Sequence, residues 1–81
     1  MSFQTACLVF ADPFAITDRN ADEGHEERWI TLGVLKNSMF VVVVHAIREG
    51  GEHGEIVEIV RIISARHASR KERRRYEQET R

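Results

Sequence analysis

The last 21 residues of the chain hold eight cations: Arg61, Arg66, Arg70, Lys71, Arg73, Arg74, Arg75 and Arg81. A guanidinium grips phosphate through two parallel hydrogen bonds and never loses its charge, so such a cluster can hold an RNA backbone and stabilise a phosphorane. Arg61 and Arg66 bracket Ile62-Ile63-Ser64-Ala65, and the other six follow within fifteen residues. The competing reading is a solvated helix laced with Arg/Glu pairs. Tyr76, inside Arg73-Arg74-Arg75-Tyr76-Glu77, could stack on a base or pass a proton, or could only anchor a terminal helix to a sheet. His67, directly after Arg66, is the imidazole best placed for acid or base work, against the plainer reading of an exposed histidine.

The other candidates point away from metals and nucleotide phosphates. His25, His45 and His53 fit no metal spacing, and Cys7 stands alone, so neither a metal site nor a cofactor is expected. Gly50, Gly51 and Gly54 lack the Gly-Lys-Ser/Thr of a phosphate loop and read as a turn. His45 sits after four valines and reads as a hydrogen-bonded core residue; Cys7 reads as packing.

The elements that must position the cations follow from periodicity. Phe3, Ala6, Cys7 and Phe10 recur at helical spacing, which predicts a short amphipathic helix ended by Asp12-Pro13. Residues 18–27 carry one apolar residue, Ala21, and read as an exposed acidic loop. Three runs rich in β-branched and aromatic residues, at 28–36, 38–47 and 55–64, predict strands. A tight turn at Lys36-Asn37-Ser38 and a glycine-bearing loop at 48–55 make them an antiparallel meander. The middle run is apolar on both faces, so it should be central, with the N-terminal helix over one face and no evident cover for the other. Ser69 and Glu72 form a capping box that opens a helix polar almost all round, with Tyr76 nearly its only apolar contact. The expected fold is therefore α+β: a three-stranded antiparallel meander, a short helix before it and a basic helix after it.

The charge is divided along the chain. The net charge is −1, yet residues 1–60 hold 4 Lys/Arg against 10 Asp/Glu and residues 61–81 hold 8 against 3. A basic end on an otherwise acidic chain suits an anion such as RNA, or an acidic protein. With 81 residues and one cysteine the chain is one domain and no disulfide scaffold. No apolar run approaches the roughly 18 residues of a membrane span, and the N-terminus lacks a secretory layout, so a cytoplasmic protein is expected. A core this thin favours association with a partner.

Four segments in order, SFQTACLVFADP at 2–13, EERWITLG at 26–33, RIISAR at 61–66 and RKERRRYE at 70–77, resemble the BrnT family, toxins of bacterial type II toxin–antitoxin pairs. The resemblance covers most of residues 2–79, and RIISAR followed by S-x-x-E-R-x-x-Y is its most specific part. It implies a RelE-like fold, a ribonuclease that arrests translation without a metal, and neutralisation by a BrnA-type antitoxin. On that template Arg66 and Arg74 would meet the transition-state phosphate, and Arg61 and Arg75 would position the RNA. Tyr76 or His67 would transfer a proton or stack on a base, with Arg70, Lys71 and Arg73 as further RNA contacts. Family members open with a strand and a helix ending in a Lys-His-Gly-type motif, whereas this chain opens just past that point. A single shortened domain at 1–81 with a bare strand edge is therefore expected, as a homo-oligomer or with its antitoxin. The alternatives are a catalytically impaired interaction protein of the same fold, binding antitoxin or RNA without cleaving, and a plain nucleic-acid-binding module.

Overall fold

The computed structural model describes residues 1–20, 27–36, 38–51, 53–54 and 57–80. Helix α1 (Phe3–Cys7) passes directly into a 3₁₀ turn (Leu8–Ala11). Strands β1 (Ile16–Arg19), β2 (Glu27–Val34), β3 (Phe40–Gly50) and β4 (Val57–His67) follow, and α2 (Arg70–Glu79) ends the described chain. The strands form one antiparallel sheet in chain order, with α1 on one face and α2 on the other. The α+β class is as expected. No helix among the described residues is long and apolar enough to cross a membrane.

The sheet has four strands where periodicity predicted three. The additional strand β1 runs into the segment expected to be an acidic loop, pairing Ile16 with Leu32 and Arg19 with Trp29. Four residues with one apolar side chain give no alternation to detect; the partner strand imposes the conformation, and the charges suit a sheet edge. At the far end of that predicted loop Glu27 already belongs to β2, and residues 21–26 lie outside the described residues. The turn before β3 stands where expected, with Leu35 and Met39 closing it through a 2.9 Å bond from Leu35 N–H and Ser38 at φ 62°. Among the described residues of the β3–β4 loop, positive φ values fall on His53 and Gly54, while Gly50 is the last residue of β3.

The N-terminal helix buries a different stripe from the predicted one. Ser2 caps α1 by accepting the Thr5 N–H at 3.1 Å, but after Cys7 the chain tightens to three residues per turn. That rotation puts Val9 beneath Ala6, both buried, and leaves Phe3 and Phe10 exposed. Gly33 makes the close approach possible, since a Cβ there would lie 2.5 Å from a Val9 methyl. Val9, Ala6 and Leu35 pack with Val41 and Val43 on this face. On the other, Tyr76 of α2 packs with Leu32 and Val42, which answers what covers the second face of β3. Val41, Val42 and Val43 are all fully buried, so β3 is the central strand.

Candidate functional site

The positions of the cations are set by an irregularity in β4. Along β3 the register is Val42↔Arg66, Val43↔Ala65 and Val44↔Ser64, then His45↔Ile62 and Ala46↔Arg61, so Ile63 has no partner and forms a bulge. Five residues separate Arg61 from Arg66, and in a regular strand an odd separation places side chains on opposite faces. The bulge cancels one residue of that spacing, and both arginines stand on the face that carries α2. Register adds two residues that composition gave no reason to select. Arg28 of β2 lies in one row with Ala46 and Arg61, and Arg48 lies beside Ile59 on the same face.

The junction between β4 and α2 is tied by one carboxylate. Arg66 donates from both terminal nitrogens to Glu72, at 2.7 and 2.9 Å, while Glu72 also accepts the Ser69 N–H at 2.8 Å. The Ser69 hydroxyl accepts the Glu72 N–H at 3.2 Å, completing the predicted capping box. The hydrogen bond from Arg66 does most to hold the Glu72 carboxyl down at about 2, against burial, with Ser69 assisting. Arg66 is therefore aimed by the first turn of α2, and its side chain remains about half exposed.

The helix sorts its cations by face. Arg70, Lys71 and Arg74 lie exposed, with no ion pair among the described residues; Lys71 and Arg74 line a surface cleft of about 500 Å³ with Glu72, Arg75 and Gln78. Arg73 bonds Glu77 at 3.0 Å and lies 4.6 Å over the Phe40 ring. Arg75 makes a two-pronged pair with Asp18 of β1 and a 3.1 Å bond to Glu79. These two arginines dock the helix on the sheet.

Tyr76 has the anchoring position. It is buried, its ring meets Phe40 edge-on at 5.4 Å, and its hydroxyl donates to Asp12 Oδ2 at 2.6 Å. Burial, reinforced by the Asp12 carboxylate, pushes its hydroxyl up to about 12. Asp12 also accepts the N–H groups of Phe14 and Val34, at 2.9 and 3.0 Å. Burial pulls the Asp12 carboxyl upward, but these bonds and the one from Tyr76 outweigh it and leave it below its usual value. Asp12 thus joins the 3₁₀ turn, the end of β2 and the C-terminal helix, a link with no local sequence signal because 64 residues separate its ends. His67 pairs with Val41 and so extends from the α1 face, opposite to Arg66. The cluster read as one site is therefore divided. Arg61 and Arg66 share a face with α2, Arg70, Lys71 and Arg74 form its solvent stripe, and Arg73, Arg75 and Tyr76 hold the helix down. Arg81 lies outside the described residues.

Across the opposite face runs a polar row. Thr17 and Thr31 hydroxyls meet at 2.9 Å, and Thr31 bonds His45 Nε2 at 2.8 Å. His45 is buried, with Phe10 edge-on at 5.0 Å, and burial lowers its pKa. That is the buried, hydrogen-bonded histidine expected.

No curated protein matches the chain. Residues 1–72, which include β4, its bulge and the Ser69–Glu72 cap, match the family described as "Ribonuclease toxin, BrnT, of type II toxin-antitoxin system". A type II toxin implies an antitoxin partner. By this match over most of its length, the chain belongs to the BrnT ribonuclease toxins of type II toxin–antitoxin systems.

Proposed function

We propose that the chain is a metal-independent endoribonuclease that arrests translation by cutting RNA laid across the α2 face of the sheet. The observation that supports this most is the bulge at Ile63, which gathers Arg61 and Arg66 on that face beside a basic helix. In the proposed reaction an RNA 2′-hydroxyl attacks the adjacent phosphorus, its proton leaves to a base, and the 5′-oxygen departs with a proton. The products are a 2′,3′-cyclic phosphate and a 5′-hydroxyl. Charge accumulates on the phosphorane oxygens, so cations fixed in advance lower the barrier.

In this scheme Arg66, aimed by Glu72, meets the scissile phosphate and Arg74 adds charge from the helix stripe. Arg61 holds the neighbouring phosphate, and Arg70 and Lys71 extend the track. Arg73 and Arg75 act by docking the helix, and Tyr76 by anchoring it. His67, exposed on the far side of the strand end, serves a flanking nucleotide rather than the scissile bond. The partner is a BrnA-type antitoxin. A specific observation favours the second reading, an interaction protein that binds without cleaving: both terminal nitrogens of Arg66 already hold Glu72.

One experiment separates the two. The folded chain, incubated with single-stranded RNA in the presence of a chelator, should yield cyclic-phosphate ends, and Arg66→Ala should lower the rate by about 10²–10³, the usual effect of removing one oxyanion donor. RNA left intact by a folded chain that still binds it would establish the non-cleaving reading. In cells, induction should stop growth with loss of RNA, and co-expressed antitoxin should relieve both.

A further inference from the structure

Arg48 is a cation to which the reaction above gives no task. It stands on the α2 face of β3 beside Ile59 of β4, and it is exposed. Among the described residues its guanidinium has neither an ion pair nor a hydrogen bond, whereas Arg61, one row nearer to Arg66, already holds a partner. Glu49 and Glu58 pair with each other and project from the opposite face, so neither shares the face of Arg48. Arg48 lines a cleft of about 510 Å³ together with Ala46, Ile59 and Arg61 of its own face and, round the outer edge of β4, Val60 and Phe3. Among the described residues the lining holds two arginines and no Asp or Glu. Small-ligand sites typically enclose roughly 300–1,000 Å³.

Each part of a nucleotide finds a counterpart there. The Arg48 guanidinium can grip a phosphate through two parallel hydrogen bonds. Ile59 gives an apolar floor, and Phe3, 62% exposed, offers an aromatic ring on which any base can stack. Strand β4 has β3 on one side and, among the described residues, no strand on the other. Its outward N–H and C=O groups are therefore available to the hydrogen-bonding edge of a base. An acidic peptide would also answer Arg48, but the aromatic ring and the continuity of the cleft with the row of Arg61 and Arg66 favour a nucleotide. Arg66 pairs with Val42, and Arg48 is six residues farther along β3, about 20 Å at the roughly 3.4 Å rise of a strand residue. The occupant is thus remote from the scissile bond.

We propose that the cleft between Arg48 and Phe3 is a nucleotide subsite, which takes one base and its phosphate from single-stranded RNA at a distance from the cut. The proposal rests on the reading that RNA crosses the α2 face. Arg48 and Phe3 are binding residues that touch nothing at the scissile phosphate. They set how tightly a long RNA is held, so their loss raises KM and leaves kcat unchanged.

The test uses the full chain and a 2′-O-methyl RNA decamer of mixed sequence, whose blocked hydroxyl prevents cleavage. Phe3→Ala should weaken its binding at least fivefold, about the least that one stacked base contributes. Arg48→Ala should weaken it severalfold and make the log–log salt slope shallower by about 0.7, and Arg48→Lys should keep the slope. Lys36→Ala, which removes an exposed cation at the β2–β3 turn, should change neither. Unchanged affinity in both Phe3→Ala and Arg48→Ala, or an equal loss in Lys36→Ala, would overturn the proposal. So would a nonaglutamate peptide that binds more tightly than the decamer and is weakened by both variants, which would give the cleft to an acidic protein. Cleavage of the unmodified decamer is measured separately. If it stays intact while the methylated decamer depends on Arg48 and Phe3, the subsite stands and the nuclease reading falls. If it is cut in a manner that needs Arg66 while Arg48→Ala and Phe3→Ala leave KM unchanged, the nuclease reading stands and the subsite falls.

Discussion

At the scale of single residues, two buried groups set how the protein answers to pH and substitution. The Tyr76 hydroxyl and the Asp12 carboxylate form a partly buried, charge-assisted bond, so Tyr76→Phe should cost about 2 kcal/mol in urea unfolding while the ring keeps its contact with Phe40. The folded pKa of Tyr76 is raised from 10.0 to about 12. Its contribution is therefore complete below pH 10 and falls as pH rises toward 12, and the phenylalanine variant should lack that alkaline loss. A cost under about 0.5 kcal/mol would show that the bond does not hold the helix. His45 works with the opposite sign. Burial depresses its pKa below 6.5, so its contribution is present above that value and is lost as pH falls through the folded pKa. Glu72 follows lower down, between its ordinary 4.5 and about 2. Stability measured against pH should thus begin to fall below about 6.5, well above the carboxylate range, and His45→Gln should remove this first limb while leaving the one due to Glu72.

At the scale of elements, the bulge in β4 makes a prediction that composition would not suggest. Ile63 is the residue without a partner, so shortening Ile62-Ile63 to one isoleucine leaves every other pair in register and keeps Arg61 and Arg66 on one face. RNA affinity should change by no more than about threefold, less than one stacked base is usually worth. Exchanging Arg61 and Ile62, as the double variant Arg61→Ile with Ile62→Arg, sends one guanidinium to the α1 face instead, because position 62 pairs with His45. The log–log slope of RNA affinity against salt should then become shallower by about 0.7 for each phosphate that is no longer neutralised. Equal slopes for both variants would show that the shared face is irrelevant to RNA. Helix α2 tells a similar story about legibility. Its start was readable, because Ser69 and Glu72 are three residues apart, but its attachment was not. Asp12, Asp18 and Phe40 all lie far away in sequence.

At the scale of the whole molecule, stability is concentrated in β3. Val41, Val42 and Val43 are fully buried between two faces, whereas α2 is held by one buried side chain and by largely exposed ion pairs from Glu72 to Arg66 and from Arg75 to Asp18. Amides of β3 should exchange only through global unfolding and those of α2 through local opening at lower free energy, with α2 loosening further when Asp12 is replaced by Asn. Uniform exchange across both elements would contradict this division. The molecule is elongated, 43 × 24 × 24 Å, and its charge is divided between sheet faces as well as along the chain. Arg28, Arg48, Arg61 and Arg66 share the α2 face, and the cleft opposite is lined by apolar side chains and the Thr17, Thr31 and His45 row, with no Lys, Arg, Asp or Glu.

The sequence alone determined the α+β class, the three long strands, the central place of the valine strand, the capping box and the basic end. Each of these is a local matter of periodicity, propensity or charge within a few residues. The tertiary structure alone decided the short strand β1, the switch from Phe3 and Phe10 to Val9 in the core, the bulge and the anchoring of Tyr76. In every one of these the deciding partner is remote in sequence: Leu32 pairs with Ile16, Gly33 receives Val9, Val44 and His45 set the break in register, and Asp12 accepts the hydrogen bond of the tyrosine hydroxyl. A face shared by Arg61 and Arg66 cannot be read from a spacing of five, because strand alternation says the reverse until the neighbouring strand shows which residue it skips.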